Sequence, residues 1–264
     1  MNLLRQAAKA LFAAADLFMR PLAGPRILIY HQVGVGLGRQ MEVTRDHFAW
    51  HLRWLAANRR VVSLEDALLR WDAEESDDLV VLTFDDGYRD TYTTAFPILR
   101  EHAMPFTVYL ATQMLDDGHV HDSLGQTDPL TWTDIERMMA SGLATIGAHT
   151  HTHRDLRIGT VTEIEEEISV SNAVIQCRLG VAPKHFAYPW GYWSKKSDRL
   201  VRETYESAVL GSAPVSRTQG NDRHMIYRFP IQNSDGRLWF RPRLRGGFVL
   251  EEELRRRLRG YVGP

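Results

Sequence analysis

Cysteine is nearly absent from this chain: Cys177 stands alone among 264 residues. No intrachain disulfide can form and a zinc site built from several thiolates is excluded, so any metal must be held by histidine and carboxylate groups. A surplus of either charge is also missing. With 32 Lys+Arg against 33 Asp+Glu and no basic half, the formal charge of -1 gives nucleic acid no attractive field, and nucleic acid is not an expected partner. Long apolar runs are lacking too. The stretch 10–19 is interrupted by Asp16 and is too short to span a bilayer. No Pro/Gly/Ser-rich linker, low-complexity tract or internal repeat divides the sequence. What is present is 44% hydrophobic residues, enough for the core of a single domain over 25–264.

Ahead of that domain, residues 1–24 read as an amphipathic helix. Leu3, Leu4, Ala7, Ala8, Leu11, Phe12, Leu17 and Phe18 recur at helical spacing, with Arg5 and Lys9 on the other side. No small-residue cleavage pattern follows. Two readings stay open, a helix packed on the domain and a peripheral membrane contact through residues 1–20. A cytoplasmic or membrane-associated location is slightly favoured over secretion.

Short β-branched apolar runs alternate with helical patterns. Strands are predicted at 27–31, 80–84, 106–110, 144–149, 185–189, 207–211 and 225–231. Helices are predicted at 44–59 with Thr44 as N-cap, at 90–102 with a kink or break at Pro97, at 133–141 and 162–179 with capping boxes Thr133/Glu136 and Thr162/Glu165, and at 196–207 and 250–259. Seven strands in βα alternation imply one parallel α/β domain. Four unusual clusters fall at strand C-terminal ends: Tyr30-His31-Gln32, Asp85-Asp86-Gly87, His149 to His153, and Pro189-Trp190-Gly191. In a parallel barrel those ends converge on one face.

Adjacent Asp85 and Asp86 at the end of an apolar strand repel each other and lose hydration, a cost tolerated where a cation or a proton occupies them. Asp-Asp-Gly is also a common turn, but the strand before it and the partners elsewhere weaken that reading. His149 and His153, four residues apart, can aim at one point while His151 points elsewhere. Asp86 with His149 and His153 would form a set of two nitrogens and one oxygen with open positions, the pattern of catalytic rather than structural zinc. Tyr188, Trp190, Tyr192 and Trp193 offer flat faces beside a polar site, and the Pro189–Gly191 turn could present a backbone N–H to it. Phe186 reads as core.

The strings Thr83-Phe84-Asp85-Asp86-Gly87, His149-Thr150 with His153, and Phe186-Ala187-Tyr188-Pro189-Trp190-Gly191, in that order, resemble the polysaccharide deacetylases with a NodB homology domain, carbohydrate esterase family four. Ile29-Tyr30-His31 and Phe96-Pro97-Ile98-Leu99 resemble one branch of it, so the likeness spans about residues 25 to 235. The resemblance implies a TIM-like distorted (β/α) barrel, a divalent metal ion (usually zinc), and hydrolysis of N-acetyl groups on an acetylated amino-sugar polymer or glycan. By position, Asp85 matches the general base, Asp86 the carboxylate ligand, His149 and His153 the imidazole ligands, and Thr150 a supporting residue. Trp190 matches the position whose backbone N–H helps bind the oxyanion.

Two departures accompany it. Ala187 stands where many members carry the arginine that orients the catalytic aspartate, and no Leu-x-His motif for the general acid follows Ile231. Arg228 is the candidate for the first role; His31, or else His224, for the second, with His31 favoured because it ends a strand on the shared face. O-acetyl ester or cyclic-amide hydrolysis on the same fold is an alternative, as is a catalytically impaired carbohydrate-binding domain. The segment Asp116 to Asp122 reads as a polar loop rather than a second metal site. Glu165-Glu166-Glu167 and Arg255-Arg256-Arg257 read as solvated helix faces, and Cys177 as a half-buried helix residue.

Overall fold

The computed structural model describes residues 9–13, 24–73, 75, 78–118, 127–211, 222–245, 248, 250–251 and 254. Its strands are β1 (Arg26–Tyr30), β2 (Gln32–Val33), β3 (Glu42–Val43), β4 (Arg60–Val61), β5 (Leu79–Phe84), β6 (Phe106–Leu110), β7 (Ala144–Ala148), β8 (His185–Ala187), β9 (Ser207–Val209) and β10 (Phe229–Pro230). Runs such as Leu79–Phe84 are buried along their whole length, as strands covered on both faces must be. Seven strands form one parallel sheet in the order β10-β1-β5-β6-β7-β8-β9, with β4 beside the start of β5. Just before β10, Ile226 bridges to Val209 of β9, and three residues later Phe229 pairs with Leu28 of β1. This segment therefore touches both edges of the curved sheet, giving the expected distorted barrel, and the strand predicted over 225–231 is divided between two neighbours.

Local signals set the helix ends, with some corrections. Thr44 caps helix Arg45–Asn58 by accepting from the His47 N–H (3.2 Å). The two capping boxes lie two residues earlier than predicted, at Thr131/Asp134 and Thr160/Glu163, because Asp134 and Glu163 also satisfy the reciprocal bond. Pro97 neither ends nor sharply breaks its helix. Lacking an N–H, it sits in the first turn of Phe96–Glu101 behind a π turn over Thr91–Ala95. Helices Leu64–Asp72, Thr112–Asp117 and Gly236–Leu244 were not anticipated. The second of these absorbs the start of the expected Asp116 to Asp122 loop, while residues 119–122 lie outside the described residues. Cys177 is exposed rather than half-buried, two residues and about 200° of helix past buried Ile175.

Of the helix expected over 1–24, residues 9–13 are described and are helical. Its faces are reversed there. Lys9 is 1% exposed, paired with the buried Asp235 and set over the Phe248 ring, while Leu11 is 73% exposed. Asp235 also accepts from Arg243 (3.1 Å), so a buried carboxylate draws two cations inward. No helix among the described residues is long and apolar enough to cross a membrane. Leu250, Glu251 and Leu254 are helical, and 255–259, with Arg255 to Arg257, lie outside the described residues.

Close packing beneath the site depends on Gly147 in β7. A Cβ there would lie 2.4 Å from Cδ1 of Tyr109 and 2.9 Å from the His185 carbonyl oxygen. Gly147→Ala is expected to destabilise the protein by about 1–3 kcal/mol, read as a lower urea midpoint at constant m-value. An unchanged midpoint would mean that the Tyr109 ring yields freely.

Candidate metal centre and catalytic carboxylate

Three strand ends place the central groups. Asp85 and Asp86 follow β5, His149 follows β7, and the turn carrying Trp190 follows β8. Asp86 Oδ1 lies 3.4 Å from His149 Nε2 and 3.2 Å from His153 Nε2, and one ligand atom from each residue lies within 4.8 Å of the others. These separations can be tested against a metal. Two ligand atoms each about 2.1 Å from one ion, at angles of roughly 90–110°, are about 3.0–3.4 Å apart. The donor set fits. Nδ1 of His149 donates to the Ala187 carbonyl (2.7 Å), which fixes the tautomer and leaves the Nε2 lone pair turned toward Asp86. Ala187 thus orients the His149 ring through its backbone. Burial would raise the Asp86 carboxyl, yet the two imidazoles hold it well below its ordinary range. Burial would lower His153, but Asp86 outweighs it and keeps that ring above its usual value.

Asp85 is held apart from this set. Arg228, 1% exposed, grips it with two parallel bonds of 2.7 and 2.6 Å and donates further to Thr83 Oγ1 and the Leu210 carbonyl. Burial pushes the Asp85 carboxyl up, and the guanidinium more than reverses this, so it stays ionised. The arginine expected near Ala187 by resemblance is supplied instead from the segment between β9 and β10.

The two acid candidates separate cleanly. His31 directly follows β1, where burial lowers its proton affinity against the opposing pull of Asp86 and Asp85; its Nδ1 has no partner among the described residues. His224 bonds through Nε2 to the Tyr205 carbonyl (2.8 Å), two residues before β9, at the opposite end of the barrel from the strand C-termini. His224 is not part of this site.

Strain concentrates here. Asp86, Thr150, His153 and Trp190 account for four of the six non-glycine residues with positive φ among those described. Each costs about 1–2 kcal/mol, which surrounding contacts must offset. Trp190 has φ 61° in a turn where Gly191 is required, since a Cβ at Gly191 would come within 2.6 Å of the Gly211 nitrogen. The Gly191 and Tyr192 N–H groups donate to Tyr188 and Pro189, whereas that of Trp190 donates to no described residue. The Trp190 side chain is 64% exposed with its ring centroid 4.9 Å from that of His153. His151 turns away as expected and bonds Thr112 Oγ1 (2.9 Å), and Thr150 is fully buried.

One residue was missed. Glu165 and Glu166 are exposed, but Glu167 is buried, accepting from the His151 and Thr152 N–H groups (3.0 and 2.8 Å) and the Thr152 hydroxyl (2.5 Å). Its position among Ile164, Ile168 and Ile175 on the inward stripe of its helix was the available signal, masked by the run of three glutamates.

Comparisons with known proteins agree with this geometry. The polysaccharide deacetylase family model matches residues 72–206, the span from ahead of Asp85 to beyond Trp190. YxkH of Bacillus subtilis, whose name places it among the polysaccharide deacetylases, is 26% identical over 208 residues, 78% of this chain and 70% of its own length. The poly-beta-1,6-N-acetyl-D-glucosamine N-deacetylase of Staphylococcus epidermidis is 23% identical over 205 residues, 74% of this chain and 70% of its own. IcaB from Ammonifex degensii shares the fold with a TM-score of 0.73 at 24% identity, covering 85% of this chain and 97% of that one. Streptococcus pyogenes deacetylase PplD, solved with acetate, shares it with a TM-score of 0.70 at 21% identity, covering 82% and 96%. With the family model spanning about half the sequence and its motif residues gathered on one face of a parallel barrel, this chain belongs to the polysaccharide deacetylase family.

Proposed function

We propose that this protein is a divalent-metal-dependent hydrolase, using zinc, that removes N-acetyl groups from an amino-sugar polysaccharide or glycan precursor. The observation carrying this reading is the division of two neighbouring aspartates. Asp86 faces two imidazoles at ligand spacing, while Asp85 is locked by Arg228 as a separate ionised base. A carbohydrate-binding domain has no use for that pair. The poly-N-acetylglucosamine deacetylase named above supports the substrate class.

Asp86, His149 and His153 would hold the ion. When bound, a divalent ion polarises the acyl carbonyl and lowers the pKa of a water molecule. Asp85 accepts the proton of the attacking water, with Arg228 fixing its direction. The Trp190 N–H donates to the carbonyl oxygen as that atom becomes negative, and the exposed indole offers a face for a sugar ring. The proton taken up by Asp85 is then returned through His31 to the departing nitrogen, releasing acetate and a free amine. Acetate release from acetylated β-1,6- and β-1,4-linked glucosamine oligomers, with chelator and with zinc restored, tests the reading; no turnover on either, or turnover unaffected by chelation, contradicts it.

An amine leaves poorly as an anion, whereas an activated ester needs little protonation. His31→Ala is therefore expected to depress acetamide hydrolysis by about 10²–10⁴-fold and hydrolysis of p-nitrophenyl acetate far less. Equal losses on both substrates would make His31 a binding or structural residue.

A further inference from the structure

Resting on the reading of Asp86, His149 and His153 as a metal centre, we propose that Glu167 is a positioning residue that sets the affinity of that centre by holding the His151–Thr152 turn. The turn lies between two ligands, and its flanking residues Thr150 and His153 both have left-handed backbone, φ 66° and 60°. Neither conformation is self-sustaining for a residue with a Cβ. Two consecutive backbone N–H groups inside the turn point at one carboxylate oxygen of Glu167, and the Thr152 hydroxyl bonds the other. From the far side the Thr112 and Gln113 N–H groups donate to the Thr150 and His151 carbonyls (3.3 and 2.9 Å). The turn is thus gripped on both sides, and Glu167 brings the only formal charge to the grip.

The hydrogen bonds to Glu167 all come from neutral donors. A buried carboxylate compensated only by neutral donors is costly, and a bound cation at the adjacent ligands would complete the balance. Groups that orient metal ligands through hydrogen bonds typically change affinity by about 10- to 100-fold when removed. Glu167 acts on two ligands together by fixing the backbone between them.

The test is a zinc titration of metal-free full-length protein, by chelator competition, alongside the urea midpoint of each variant measured in chelator. Glu167→Gln and Glu167→Ala are expected to weaken zinc binding by about 10- to 100-fold at unchanged stoichiometry. Thr152→Val should weaken it less, and Glu166→Gln, on the exposed neighbour, not at all. A purely structural Glu167 would lower the midpoint and leave zinc affinity at the wild-type value, which overturns the proposal. Should Glu167→Ala fail to fold, Glu167→Gln and Thr152→Val decide, and unchanged affinity in both refutes it. Absence of stoichiometric zinc in the wild-type protein refutes the metal centre itself, an outcome separate from wild-type binding that survives every Glu167 variant.

Discussion

Replacing His149 or His153 by Ala is expected to abolish stoichiometric binding of a divalent ion and, with it, acetate release. Three ligands are the minimum that keeps open positions for water and substrate, and removing one leaves a carboxylate and a single imidazole that cannot hold a borderline cation at micromolar concentrations. The effect exceeds the roughly 10- to 100-fold change from loss of a supporting hydrogen bond. His153→Ala is the gentler variant, since its ring is 12% exposed while that of His149 is 2% exposed and bonded to the Ala187 carbonyl. Its denaturation midpoint in chelator should stay near that of the wild type, because the barrel core does not depend on the ion. His151→Ala is the internal control and should keep one ion per chain, its ring being directed at Thr112. Full metal occupancy in His149→Ala, measured by elemental analysis, would show that the ligand set is wrong.

Asp85→Asn should lower turnover by about two to four orders of magnitude with metal content unchanged, since an amide of the same size cannot take the proton of water. A second consequence follows from Arg228. The guanidinium is buried and doubly bonded to Asp85, so a neutral partner leaves part of a buried charge uncompensated, costing roughly 2–5 kcal/mol of stability. The same pairing sets an acid limit. Because the folded carboxyl titrates below its ordinary value, its contribution to stability is complete above the normal carboxylate range and is lost as pH falls through the lowered value. Rate and urea midpoint should therefore fall together in Asp85→Asn, whereas metal content should not. A near-normal rate removes Asp85 from the mechanism.

Much of the site was legible before any fold was known because its chemistry is local. Asp85-Asp86-Gly87, the His149/His153 spacing and the Pro189-Trp190-Gly191 turn each lie within one loop, and each loop follows a short run that reads as a strand. Helix boundaries were less legible. The residues Thr131 and Thr160 that cap their helices differ from Thr133 and Thr162 only in which acidic side chain returns the bond, a matter of backbone conformation. The reversed face at Lys9 was hidden for another reason. A lysine turns inward only where a buried carboxylate awaits it, and Asp235 is 226 residues away.

Composition and motif spacing thus pointed to a parallel α/β domain, excluded a centre of several thiolates, and singled out Asp85, Asp86, His149 and His153 as candidates. Tertiary structure decided how their neighbours are held. Arg228 reaches Asp85 only because the segment before β10 crosses between both edges of the curved sheet, a relation 143 residues long in sequence. The sequence preferred His31 to His224 for its strand end, and strand direction sets them apart in space, His31 after β1 at the site and His224 bonded to Tyr205 ahead of β9 at the far end. Glu167 became distinct from Glu165 and Glu166 through helix packing, which turns one carboxylate in three toward the loop between His149 and His153 and leaves the other two in water.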